Sequence, residues 1–112
     1  MLSDTERNAL EDIRDNIVRV MRFVHGLDFE GFLADDKSFY AATRCLEIIS
    51  EASRRLPPAF KERFPEIPWK DIAGSGIIYR HNYQDVLERR IWQTIHEALP
   101  PLRALVDAEL QE

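Results

Sequence analysis

The stretch SDTERNALEDIRDNIVRVMRFVHG, Ser3 to Gly26, decides the fold class. Ser3 and Glu6 stand at capping-box spacing, in which the serine oxygen accepts from the third helical amide and the glutamate reaches back to the cap. Leu10, Ile13, Ile17, Val20 and Val24 then recur at steps of three and four, with Met21 beside them, and Gly26 supplies a stop. The spacing predicts one long amphipathic helix over residues 4–25. His25, at its end, is placed to act as a cation at the negative pole of the helix rather than as a ligand.

Downstream, Leu27 to Ala34 sets Phe29 and Phe32 among acids and a glycine, which predicts a short helical turn plugging one end of a bundle. Asp35 or Asp36 can cap a second long helix. Its apolar set is Phe39, Ala42, Cys45, Leu46, Ile49, Ala52 and Leu56, and Pro57-Pro58 ends it. Residues 57–68 hold four prolines, so a connector with one helical turn is expected there. Pro68 suits the first turn of a third helix running toward His81. That helix would contain Gly74, Ser75 and Gly76, an unusual run because each interior glycine costs about 1 kcal/mol relative to alanine. Such a patch marks the close approach of another backbone or of a ligand, and the favoured reading here is another helix, across a twofold axis.

Asn82 to Asp85 reads as a turn with Asp85 capping the last helix. Leu87, Ile91, Ile95, Ala98 and Leu102 form the inner face of that helix, and Pro100-Pro101 should kink or break it. Trp69, Trp92 and the phenylalanines are expected to supply much of the buried area. No strand alternation or repeat interrupts this pattern. The fold class is therefore all-α, an antiparallel four-helix bundle with short accessory helices, formed as a single domain over residues 1–112.

Composition narrows the function classes. The chain has 112 residues, 45% hydrophobic and 31% charged, enough for one core but too few for a second. No apolar run approaches the roughly 20 residues of a membrane span, and the N-terminus opens into acids rather than a basic and apolar leader, so no membrane association and a cytoplasmic location are expected. The single cysteine, Cys45, lies among apolar neighbours and reads as core filling. His25, His81 and His96 are scattered and there is no cysteine pair, so no structural zinc site is expected and no metal or cofactor is invoked. A net charge of −5 disfavours broad nonspecific binding to nucleic acid. Its distribution is uneven. Residues 1–36 carry four Arg against nine acids, and residues 54–90 carry eight Lys and Arg against five acids.

The basic excess surrounds Arg80-His81-Asn82-Tyr83, where a cation, an imidazole and a phenol share four residues. An imidazole takes and gives protons near neutral pH, and a guanidinium can hold a phosphate, so a phosphodiester is the substrate to expect. Metal-free RNA cleavage needs a base for the 2′-hydroxyl, a donor for the charge growing on phosphorus and an acid for the leaving oxygen. His81 can fill the first or last role and Arg80 the second. Adjacent side chains on a regular helix diverge by about 100 degrees, so the two converge only where the helix unwinds or across two subunits. The bland alternatives are a surface charge for Arg80, a capping or packing residue for His81 and an interface aromatic for Tyr83. Asn82 and Glu51 are candidate supporting residues. Glu51, on the flank of the second helix, is otherwise an exposed charge.

The pattern Ile48-Ile49-x-Glu51-Ala52, Ile72-Ala73-Gly74, His81-x-Tyr83, Val86 and Trp92-x-Thr94-Ile95 resembles the HepT-like toxins of the HEPN superfamily across nearly the whole chain. The resemblance implies a prokaryotic homodimer with two motifs facing a shared cleft, acting as a metal-independent ribonuclease on RNA. It also implies a minimal nucleotidyltransferase antitoxin as partner, able to transfer AMP onto the motif tyrosine. His81 matches the motif histidine and Tyr83 the motif tyrosine. The motif arginine, five residues before the histidine and followed by asparagine, is replaced by Gly76, with Ile77 after it. That departure supports an alternative reading, a catalytically inactive module that docks the nucleotidyltransferase and presents Tyr83 or a nucleotide.

Overall fold

The computed structural model describes residues 1–75 and 84–111, without the side chains of 84–86. Its helices are α1 (Asp4–Val24), α2 (Phe29–Ala34), α3 (Asp36–Arg55), α4 (Pro58–Glu62), α5 (Trp69–Gly74), α6 (Gln84–Gln93) and α7 (Leu99–Leu110), with a π-helical turn, Thr94–Ala98, between the last two. The described residues form no strand, and the all-α expectation holds.

Helix α1 starts as its sequence dictates. Ser3 Oγ accepts from the Glu6 amide at 3.0 Å, and the Ser3 amide donates to Glu6 Oε1 at 2.9 Å. At the far end His25 is the exposed C-cap, and Gly26 turns the chain with φ of +79°, a conformation that side-chain-bearing residues rarely adopt. Asp35 then caps α3, accepting from the Ser38 amide at 3.4 Å. Ser38 Oγ lies 2.8 Å from Asp35 Oδ2 and 3.1 Å from the Phe23 carbonyl, which ties the start of α3 to the end of α1. Arg55, at the end of α3, reaches Asp12 near the start of α1 at 2.6 Å. The two helices are therefore antiparallel.

The core is aliphatic. Leu10, Ile13 and Ile17 of α1 meet Leu46 and Ile49 of α3 and Leu102 and Val106 of α7, all buried. Burial of each such side chain contributes about 1.5–3 kcal/mol. Phe32 of α2 closes one end as expected, fully buried with its ring centroid 5.9 Å from Phe39 and 5.2 Å from Trp92. Trp69 and Trp92 play a smaller part than their size led us to expect. Both are only partly buried, at the rim of the core, and the Trp69 indole donates to the Phe64 carbonyl at 3.0 Å. Cys45 is 2% exposed, in line with its reading as core filling.

Three boundaries differ from expectation. Pro68 is the cap of α5 rather than part of its first turn. Gln84 and Asp85 are already helical, so Asp85 lies inside α6 and does not cap it. The irregularity assigned to Pro100-Pro101 falls one turn earlier, in the π-helical turn, where the Leu99 amide donates to the Thr94 carbonyl five residues back. A proline lacks an amide and its ring crowds the carbonyl four residues before it, here those of His96 and Glu97. Widening the helix over those same carbonyls relieves both defects, and α7 continues unbroken through the prolines.

Candidate functional site

Gly76, Ile77 and the Arg80-His81-Asn82-Tyr83 motif lie outside the described residues, as does the latter half of the expected third helix. The frame that holds the motif segment is described on both sides. Its entrance is the end of α5, where α3 takes hold of the backbone. Ser50 Oγ donates to the Ala73 carbonyl at 2.5 Å, Arg54 donates to the same carbonyl at 2.7 Å, and Arg54 also donates to Ser50 Oγ at 2.7 Å. A guanidinium at the C-terminal end of a helix satisfies carbonyls that lack intrahelical partners and meets the negative end of the helix dipole. Ser75 Oγ donates to the Ile72 carbonyl at 2.7 Å, closing the last turn. The exit is Gln84, the first residue of α6.

Between α5 on one side and α6 with the π-helical turn on the other lies an open cleft of about 440 Å³. Lys70, Asp71 and Gly74 line the first wall, and Arg90, Gln93, Thr94 and Glu97 the second. Gly74 does not mark a close helix approach within the subunit, because a Cβ placed there would meet nothing within 4 Å. The small residue instead widens the cleft. Thr94 Oγ1 donates to the Arg90 carbonyl at 2.9 Å, so its oxygen is turned to accept.

Glu51 is not among the residues that line this cleft. It is exposed and its Oε1 lies 3.2 Å from Arg55 Nε, in a cluster completed by Asp12 of α1. His96 is exposed, stacked on Trp92 with centroids 4.1 Å apart, and its Nδ1 lies 2.9 Å from the Trp92 carbonyl, to which it donates. Sequence reasoning singled out neither the Ser50 and Arg54 clamp nor the Lys70 and Arg90 pair. The first had a signal in the four-residue spacing of Ser50 and Arg54, and the second only in the basic excess of residues 54–90.

An all-helical bundle whose sequence carries a His-x-Tyr motif between α5 and α6 is of the HEPN ribonuclease type. The chain belongs to the HepT-like family: residues 13–109 match the family described as Ribonuclease HepT-like. It is similar to a protein of Thermococcus cleftensis named "Probable ribonuclease HepT", with 39% identity over 88% of this chain and 90% of the relative. A "Putative RNase" of Caldanaerobacter subterraneus subsp. tengcongensis is 39% identical over 96% of both chains. A third relative, from Methanocaldococcus jannaschii and also named "Putative RNase", is 34% identical over 88% of this chain and 90% of its own length. No solved structure matches the chain.

Proposed function

We propose that this chain is the ribonuclease subunit of a toxin and antitoxin pair, working as a homodimer in the cytoplasm and cutting RNA without a metal ion. The observation that carries this reading is the family match over residues 13–109, which takes in the motif with its histidine and tyrosine in place. His81 serves as base for the attacking 2′-hydroxyl or as acid for the 5′ leaving oxygen, and two copies in a dimer can share both tasks. Arg80 stabilises the charge that grows on the phosphate oxygens. The partner is a minimal nucleotidyltransferase antitoxin, and Tyr83 is the acceptor onto which it transfers AMP. A phenol beside the histidine is suited to that role, because a nucleotide added there would block the substrate phosphate.

Gly76 favours a second reading. Without the motif arginine at that position, the chain would be an inactive module that docks the nucleotidyltransferase and offers it Tyr83 or a nucleotide. Induced expression without the partner separates the two, comparing the native chain with His81→Ala and Arg80→Ala. Growth arrest and RNA breakdown that either change abolishes support the nuclease. A folded native chain that causes no arrest leaves the docking module.

A further inference from the structure

Arg54 and Arg55 are neighbours at the end of α3, and their guanidinium groups are held in opposite ways. Arg55 has two carboxylates beside it, Asp12 at 2.6 Å and Glu51 at 3.2 Å, which neutralise its charge in place. Arg14 and Arg63 are likewise oriented by carboxylates, at 3.0 and 3.1 Å. Arg54 is oriented by neutral groups instead. Its Nη1 lies 2.7 Å from Ser50 Oγ and 2.7 Å from the Ala73 carbonyl, and those two oxygens are bonded to each other at 2.5 Å. The guanidinium is thereby fixed in direction while its charge stays uncompensated by the groups that hold it.

The end of α5 does not require that charge. One donor is enough to satisfy a carbonyl, and Ser50 Oγ already supplies it to Ala73. With Nη1 engaged, the Nε and Nη2 edge of Arg54 remains, on an exposed side chain. That edge presents two parallel N–H donors, the fork that takes two oxygens of one phosphate. Holding the guanidinium beforehand also lowers the entropy lost when it engages a ligand. Covalent geometry sets where this happens. Ala73 is the third residue before Gly76, and consecutive Cα atoms are about 3.8 Å apart, so the motif segment begins within about 11 Å of it. Helix α3 packs against both α5 and α6, the two helices that flank the segment.

We propose that Arg54 is a further catalytic residue of RNA cleavage, its Nε and Nη2 donating to the non-bridging oxygens of the scissile phosphate while Nη1 stays on Ser50 and Ala73. The inference rests on the ribonuclease reading and deepens it by naming a second cation for the reaction besides Arg80. In that step the 2′-oxygen bonds to phosphorus and the bond from phosphorus to the 5′-oxygen breaks. The 2′ proton leaves to a base and the 5′-oxygen takes a proton from an acid, the roles given to His81. Arg54 moves no proton. It offsets the negative charge that grows on the non-bridging oxygens, from a position set before the substrate arrives.

The test has two readouts on the full chain. One is single-turnover cleavage of a labelled single-stranded RNA. The other is binding of the same RNA across a salt series, measured by fluorescence anisotropy on a His81→Ala background, or His81→Gln should the first not fold, so that bound RNA is not consumed. Arg54→Gln is expected to lower the cleavage rate about 10²-fold and the slope of log K against log salt by about 1. Ser50→Ala loosens the clamp but keeps the charge, so it should leave that slope in place and lose less rate. Arg54→Lys keeps the charge without the fork, and is expected to hold the slope and lose rate. Circular dichroism melts confirm which variants fold. A native rate or a native slope in folded Arg54→Gln overturns the proposal. Should Arg54→Gln not fold, a native rate in Arg54→Lys overturns it, and so does a folded native chain that binds no RNA. The nuclease reading is judged separately, by cleavage in the native chain. A native chain that never cuts RNA, with the slope lowered in Arg54→Gln, removes the nuclease and leaves Arg54 as a phosphate contact. Native cleavage that persists undiminished in Arg54→Gln keeps the nuclease and removes Arg54 from it.

Discussion

The guanidinium of Arg54 and the hydroxyl of Ser50, one turn apart on α3, converge on the main-chain carbonyl of Ala73 at 2.7 and 2.5 Å. Through that one oxygen α3 fixes where α5 ends and the motif segment begins. Ser50 is 1% exposed, so its loss removes a buried hydrogen bond as well as the oxygen that Arg54 leans on. Ser50→Ala is expected to cost about 1 kcal/mol, and Ser50→Ala with Arg54→Ala about 2–3 kcal/mol, read from urea unfolding midpoints. Activity should fall further than stability does, because the clamp acts on the helix that precedes the motif in the chain. Equal losses in both would assign it a purely structural part.

Phe32 links three elements through its rings, resting against Phe39 of α3 and Trp92 of α6 with no exposure of its own. Phe32→Ala leaves a ring-sized void at one end of the bundle and is expected to cost about 3–5 kcal/mol, a large share of the stability of a domain this size. Phe32→Leu, which keeps most of the volume, should cost clearly less. Thermal melts followed by tryptophan fluorescence check both, since Trp92 is one of the ring's neighbours.

Burial pushes the Cys45 thiol above its ordinary value, opposed only weakly by Arg19, Arg22 and Arg44 nearby. The thiolate is the reactive form, and this one is both scarce and inaccessible. Ellman's reagent at pH 8 is expected to label the native protein no faster than the chain unfolds, and to label it at once in denaturant. Rapid native labelling would show that the α1 and α3 seam opens without global unfolding.

Asp35 sits below the usual carboxylate range because the Ser38 side chain, and then the Ser38 amide, bond to its charged form. A group whose folded value is depressed stabilises the fold above its unfolded value, near 4, and loses that contribution as pH falls through the lower folded one. Stability should therefore decline from about pH 4 downward. In Asp35→Asn, which keeps a capping oxygen but cannot titrate, that decline should be shallower. Melting temperatures of the two proteins across pH 2–6 decide it, and identical acid limbs would remove Asp35 from the account.

How far the sequence speaks depends on whether a feature is local. The capping box at Ser3 and Glu6, the stop at Gly26 and the halt before Pro57 are each written in a few adjacent residues, and the backbone obeys them. The π-helical turn is less legible. Pro100-Pro101 announces a defect, but where it falls depends on which carbonyls lose their donors, one turn upstream. Gly74 shows a different limit, since a missing side chain looks the same in sequence whether it admits a neighbouring helix or leaves a cleft open. Ser50 and Arg54 stand one helical turn apart, a local signal, but Ala73 is 23 and 19 residues further along the chain, and no local pattern names it as their partner. The histidine and tyrosine of the motif are named from sequence alone, by their short spacing, and lie outside the described residues. Lys70 and Arg90 line one cleft only through the packing of two helices.

Gly76 sets the position of a missing charge against cations that are present in the sequence. If Arg80 carries the phosphate-stabilising role, Arg80→Ala should lower RNA cleavage about 10²–10³-fold, the usual cost of removing one donor from a developing oxyanion. Restoring the family residue with Gly76→Arg on that background should recover most of the loss, whereas Gly76→Arg in the native chain should add little to a site already supplied. The measurement is single-turnover cleavage of a labelled RNA by the four proteins. A native chain that is inert until Gly76→Arg is introduced would instead identify the wild-type protein as the inactive docking module. Full activity in Arg80→Ala would move the catalytic cation away from Arg80, with Arg54 the next residue to replace.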